Sequence, residues 1–524
     1  MTYTSFTFFI LYFGITFLVY TFMPKKYKWC VLLLGSFAFY TVAVRGHVLF
    51  LLLSSVIIWL DGIVLQRLND DFKSKRKGLD IASRKALKAK YKNYKLSVLA
   101  VGVVLNIGIL FLSKYTGFAA NVLNAVFKTD LEGLNIIQPM GISFYTLQAV
   151  SYITDVYRGR YPACKNPLKT TLYLSFMLTV VEGPVARYDQ LGTQLIEGKD
   201  FDYDNLVKGV WRVFWGLFKK IVVADRVAIL VDAVYNHPEK HGGAIIILGT
   251  LCYTLQLYSE FSGIMDVVCG LGEMMGIKMP ENFTRPFFAK TINEFWQRWH
   301  ISLGTWLRDY IFYPISLSKP FMNLTKAARK KFNPYYANLI PTAVALFFVW
   351  FSNGFWHGSG IKYIIYGLYY YFLMMLGLFL EPVFSKICGK LKINRNSKPY
   401  HLLQIARTFV VVNYGMLIFR ADGFRRVLYM TKKIFCNFDL SALSLGAKNG
   451  LNLDLKDYVV VLVGFLTVFA VGVLNEKGIF IREKVLKLKF PVRCILLLLF
   501  ILIVVVFGAY GENYGVQNLI YANF

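Results

Sequence analysis

Long apolar windows separated by short polar stretches run along the whole chain, at residues 6–22, 29–44, 48–68, 96–112, 142–157, 171–185, 210–231, 244–271, 339–355, 361–380, 402–419, 458–474 and 495–511. Several approach the ~20 apolar residues that cross a bilayer as a helix. The stretches LLLLFILIVVVFGAY and VVVLVGFLTVFAVGVL hold no charge at all. The pattern predicts an all-α polytopic membrane protein of about ten to twelve transmembrane helices, the remaining windows being interfacial or re-entrant. No internal repeat and no Pro-rich or Ser-rich linker interrupts it, so residues 1–524 read as a single integral-membrane domain.

Charge then orients the windows. No Lys or Arg precedes the first apolar run, and Lys25 and Lys26 follow it. A cleaved signal would carry its positive charge in front, so this run reads as a span with its N-terminus outside. The loop around SKRKGLDIASRKALKAKYK, residues 73–95, predicts an amphipathic cytoplasmic helix lying on anionic lipid. Residues 319–331 and 386–398 are basic without an acidic residue, which marks both flanks of the 339–380 pair as cytoplasmic. The turn between them, with His357, then lies away from the cytoplasm. Counting on leaves the C-terminus outside and puts Arg420, Arg425 and Arg426 on the outer side, against the charge rule, as candidates to meet an anionic polymer.

Composition agrees: 56% of residues are hydrophobic and only 17% charged, against about 25% in soluble domains. The net charge of +29 sits in short loops, where topology accounts for it, and no nucleic-acid partner is implied. Seven cysteines are scattered in apolar surroundings without CxxC spacing and read as small hydrophobes. His47, His237, His241 and His401 are dispersed, and Pro238 opposes a helix that would align His237 with His241, so no metal site is expected.

Two histidines stand apart. His357 lies in NGFWHG within an apolar region, and His300 lies in the aromatic, basic segment EFWQRWHISLGTWLRD. Ionisable groups at membrane depth are costly, which makes function the first hypothesis. An imidazole with a pKa near ~6.5 both takes and gives a proton near neutrality. General-base activation of a hydroxyl that attacks an acyl donor suits it. Gly354, Gly358 and Gly360 permit close backbone approach. The bland alternatives are a helix-end histidine bonded to a carbonyl at 357, and an interfacial histidine stacked on Trp296 or Trp299 at 300.

ENFTRPFFAKTINEFWQRWHISLGTWLRDYIFYPI followed by GFWHG resembles the bacterial branch of the membrane-bound O-acyltransferase family, which includes the alginate O-acetylation and teichoic acid D-alanylation membrane subunits. MGISFYTLQAVSYITDVYRG, VEGPVARYDQL, YSEFSGIMDVVCGLGEMMGI and FRADGFRRVLYM support it in order, over a core of about 100–430 flanked by terminal spans at 1–68 and 454–511. The resemblance implies a ring of helices around a central tunnel, with His357 as the catalytic residue and His300 as the second implicated one. Asn353, Trp356, Arg298 and Asp309 are expected as orienting groups. It also implies no bound cofactor and an acyl donor that is acetyl-CoA or an acyl carrier protein thioester. The expected partners are an exported accessory acetyltransferase or esterase-like protein, a polysaccharide or teichoic acid acceptor, and membrane lipid of the bacterial cell membrane. The reading is acetyl transfer to an extracellular or cell-wall polysaccharide, with D-alanyl transfer to teichoic acid as the alternative. PISLSKPFMNLTKAARKKFNPYY departs from the Gly-Gly turn and shorter loop of the alginate type. A proton-coupled transporter or flippase is the more distant rival; it calls for repeats and paired intramembrane carboxylates, and the sequence offers neither.

Overall fold

The computed structural model describes residues 3–44, 47–134, 136, 138–441, 451–510 and 514; the end of the last apolar window, at 511, lies outside them. Helices account for nearly all regular structure among these residues, with one isolated bridge between Phe283 and Trp299. Among the described residues eight helices are long and apolar enough to cross a membrane: Leu49–Lys75, Ile81–Lys114, Gly243–Met274, Pro334–His357, Ile361–Lys390, Lys398–Arg420, Leu455–Glu476 and Phe490–Phe507. Phe8–Phe22 and Thr116–Phe127 are shorter apolar helices. Only 6% of the Phe490–Phe507 window is buried within the protein, against 67% of Gly243–Met274. The former presents its side chains to hydrocarbon and the latter packs inside protein, as expected of a multi-pass membrane protein.

The described residues fall into two compact units, one of residues up to Val210 with Val268–Pro280, the other of Trp211–Val267 with residues from Glu281 onward. In the first, Leu49–Lys75, Ile81–Lys114 and Ile142–Arg158 pack on one another, and Ile142–Arg158 is buried along almost its whole length. Two expectations are corrected here. Residues 73–95 form no separate surface helix. Leu49–Lys75 runs on through its lysines, Asp80 caps the next helix by accepting from the backbone of Ala82 and Ser83, and Ile81–Lys114 continues unbroken into its span. The Ala- and Lys-rich stretch is a strong helix former. Phe72 against Tyr91 (5.6 Å between ring centroids) and Lys95 donating to Asn69 (3.0 Å) tie the two extensions together.

The window 171–185 is not a span either. Its helix, Pro167–Ser175, is nine residues long, and the chain beyond it is buried turns. Non-helical backbone at membrane depth needs partners inside the protein. Tyr3 donates to the Met177 carbonyl at 2.7 Å, and the Met177 N–H donates to Ser36 Oγ at 3.0 Å. A buried coil is as apolar as a span, so hydropathy does not separate them.

In the second unit, Pro334–His357 and Ile361–Lys390 form an antiparallel hairpin, and Lys398–Arg420 returns alongside. Gly354 and Gly367 allow the close approach: a side-chain carbon on Gly354 would lie 2.3 Å from the Tyr363 carbonyl oxygen, and one on Gly367 would lie 2.2 Å from that of Trp350. Lys362 donates to the Ala421 carbonyl at 3.2 Å. Arg420 therefore shares an end of the hairpin with the His357 turn, while Pro334, Lys390 and Lys398 share the other.

Candidate active site

His300 and His357 both belong to the second unit. His300 sits between two short helices, Ile292–Arg298 and Ile301–Leu307, outside the eight long apolar helices. Its backbone is left-handed (φ 48°), uncommon for a residue with a side chain. The turn is held from residues 282–285: the Ile301 N–H donates to the Asn282 carbonyl at 3.0 Å and the Thr284 N–H to the Arg298 carbonyl at 2.9 Å. The imidazole is 3% exposed and lies edge-on to Phe261, with centroids 4.8 Å apart. Burial pushes its pKa down to about 3, so His300 is neutral at physiological pH.

His357 is the last residue of Pro334–His357 and is also 3% exposed. Its ring packs edge-on against Phe419 at 5.3 Å and Tyr366 at 6.0 Å. A helix C-terminus carries the negative end of the backbone dipole, which favours an imidazole that becomes cationic as it accepts a proton. Trp356 joins the two histidines: its ring centroid is 5.7 Å from that of His300 and 5.0 Å from that of His357. Behind them, Trp296 meets Trp350 at 5.0 Å and Tyr370 at 4.9 Å, and Tyr366 meets Tyr370 at 5.1 Å. The result is one aromatic shell around both imidazoles, built from five helices.

The other expected residues divide. Asn353 is buried one helical turn before His357, on the same face by its four-residue spacing. Arg298 pairs with Glu294 at 2.7 Å and Glu476 at 3.1 Å, and Arg285 joins Glu476 at 2.6 Å, so this guanidinium anchors the His300 segment to the Leu455–Glu476 helix. Asp309 pairs with its neighbour Arg308 at 2.9 Å, on a turn that packs against Pro334–His357. Arg420 pairs with Asp232 at 2.6 Å and lies over the Tyr235 ring. Arg425 is exposed and Arg426 half-buried. His237 pairs with Glu239, and His241 approaches the Ala233 carbonyl at 3.3 Å. Among the described residues no three His, Cys, Asp or Glu side chains gather as metal ligands would.

Sequence reasoning missed two features. Asn282, inside a quoted motif but not singled out, supports His300 directly. The second is an ionic core in the same unit, centred on a π-helical turn, Phe218–Ala224. Lys219 donates to Asp266 at 2.6 Å and Ser262 at 2.9 Å, and Arg212 bridges Asp266 and Glu281. Lys220 lies beside Asp225 and Glu260. Glu260 and Asp266, on the long apolar helix Gly243–Met274, are thus paired carboxylates where the sequence reading found none, each held by a lysine or arginine. A cavity of about 1110 Å³ in this unit is lined by apolar residues such as Leu230, Leu251, Phe287, Phe409, Leu462 and Phe465, and neither histidine borders it.

Comparison with known proteins gives this site its context. The model of the membrane-bound O-acyltransferase family matches residues 165–329, which include Asn282 and His300 and end before His357. The teichoic acid D-alanyltransferase of Bacillus subtilis is 31% identical over 296 residues, 55% of this chain and 70% of that protein. The chain belongs to the membrane-bound O-acyltransferase family. This family member is also 33% identical over 361 residues, 67% of its length, to the probable alginate O-acetylase AlgI of Pseudomonas syringae. The peptidoglycan O-acetyltransferase of Helicobacter pylori is 29% identical over 365 residues, 65% of the chain. The aligned region spans 64% of each of these two relatives, just under two thirds of their length.

Proposed function

We propose that the protein is an O-acyltransferase that takes an acetyl group from a cytoplasmic thioester, acetyl-CoA or an acyl carrier protein, and delivers it across the membrane for esterification of an extracellular or cell-wall polysaccharide. The observation that carries this reading is the pair of buried imidazoles that both contact Trp356, at 5.7 and 5.0 Å between ring centroids, within one aromatic shell. An apolar shell strengthens each proton transfer and excludes the water that would hydrolyse a thioester. His357 acts as general base: it takes the acceptor hydroxyl proton as the oxygen attacks the thioester carbonyl, the C–S bond breaks, and the proton passes to the leaving thiolate. His300, neutral by burial, positions the donor or relays that proton. The protein works in the bacterial cell membrane with both termini outside, and an exported accessory acetyltransferase or esterase-like protein completes delivery to the polymer. Arg425, exposed near the His357 end, faces the anionic acceptor.

D-alanyl transfer from a carrier protein to teichoic acid is the second reading, supported by the similarity to the Bacillus subtilis protein. Membranes carrying the chain, supplied with labelled acetyl thioester or labelled D-alanyl carrier thioester, decide between them. Base-labile acetyl ester is the expected product. D-alanyl ester promotes the second reading, and no ester from any thioester overturns both.

A further inference from the structure

Asn282 stands at the centre of the contacts that surround His300, and its carboxamide has only one orientation that satisfies them. The backbone N–H of Ser302 donates to Asn282 Oδ1 at 3.0 Å. A backbone N–H is a donor only, so the atom it meets is the carboxamide oxygen and not the NH2 group. The opposite end agrees, because Nδ2 then donates to the thioether sulfur of Met265 at 3.2 Å, a weak acceptor. Oδ1 also lies 3.3 Å from His300 Nδ1. A carboxamide oxygen has no proton to give, so Nδ1 is the donor. In a neutral imidazole one ring nitrogen carries the proton and the other carries the lone pair.

From this geometry we infer that Asn282 is the positioning residue that holds His300 in its Nδ1–H tautomer, presenting Nε2 as the proton-accepting nitrogen. The arrangement is firmly built. Asn282 is 1% exposed, its own carbonyl accepts from the Ile301 N–H at 3.0 Å, and one side-chain oxygen thus reads both the backbone after His300 and the His300 ring. Met265 and Phe261, one helical turn apart on Gly243–Met274, contact Asn282 and the imidazole respectively. The ionic core steadies that same turn, since Lys219 bonds Ser262 and Asp266. The assignment turns the proposed role of His300 into a definite one. Nε2 is the nitrogen that accepts a proton, and Nδ1 plays no direct part in the transfer. It rests on the acyltransferase reading only for that role; the tautomer itself does not depend on it.

The test separates the two. The full chain, labelled with ring-¹⁵N histidine and placed in lipid nanodiscs, gives a solid-state NMR spectrum in which protonated and bare ring nitrogens are distinct; the His300→Gln spectrum identifies the His300 signals by subtraction. At pH 7 the wild type is expected to show a proton on Nδ1 and none on Nε2. Asn282→Asp keeps an acceptor oxygen and keeps that signature. Asn282→Leu loses it and gives a mixture of tautomers, with kcat for ester formation falling by about 10²-fold and KM for the thioester little changed. A proton on Nε2 in the wild type overturns the inference, whether or not the chain forms an ester. So does an Asn282→Leu protein that retains the pure Nδ1–H signature. Should Asn282→Leu fail to fold, the wild-type spectrum decides alone.

Discussion

The second unit holds two buried polar centres that solve the cost of polarity in opposite ways. Around Lys219 and Asp266 each basic group meets a carboxylate at hydrogen-bond distance. Around His300 and His357 the groups are imidazoles, wrapped in the rings of Phe261, Trp356, Tyr366 and Phe419. Paired charges in a low-dielectric interior hold helices in place but are locked to their partners. A neutral imidazole in an aromatic shell contributes less to stability and keeps a lone pair for chemistry. On the proposed reading, one centre holds the fold and the other handles the proton.

That contrast sets the expected effects. His357→Ala abolishes at least ~10²-fold of ester formation while the thermal midpoint moves little, measured by ester yield and by scanning calorimetry on the same preparation. Lys219→Met does the reverse. It leaves Asp266 with Arg212 alone in a buried site, costs about 3–5 kcal/mol, and lowers the amount of folded protein recovered from membranes. Pairing it with Asp266→Leu restores much of that loss, and a double variant as unstable as the single one breaks the reading of an ion pair held for structure.

Gly354→Val tests whether the two properties meet. Its side chain runs into the Tyr363 carbonyl, so overpacking costs about 1–3 kcal/mol and displaces His357, lowering stability and activity together. The pH dependence is finer. An unfolded histidine takes up a proton near ~6.5, whereas folded His300 resists until about 3. The unfolded state therefore binds the extra proton in that window, and stability falls as pH drops from 6.5 toward 3. His300→Gln flattens this slope in unfolding measurements across the window. Least affected is Arg420→Ala: its pair with Asp232 is partly solvent-exposed and contributes at most about 1 kcal/mol, read from the thermal midpoint.

How much of this was legible beforehand follows the same division. His300 and His357 stood out because a histidine beside tryptophans in an apolar chain is rare, and the hairpin that carries His357 followed from the apolar windows 339–355 and 361–380. The ionic core was invisible. Lys219 and Asp266 are 47 positions apart, and each reads alone as a blemish in an apolar window. Asn282 lies 18 positions before His300, joined to it by a turn that no periodicity announces. Apolar windows mark burial and not helix, which is why 171–185 passed for a span. Helix propensity continues past the end of a hydrophobic run, which is why 73–95 passed for a separate surface helix.

The central claim is that His357 performs acyl transfer and does not merely fill its aromatic shell. Mass spectrometry of base-labile esters on the surface polymers of a strain lacking the protein, complemented with wild type or with His357→Ala at equal membrane level, addresses it most directly. The account predicts that the wild type restores the acetyl ester and that His357→Ala does not. Restoration by His357→Ala to the wild-type level would contradict it and make His357 a packing residue.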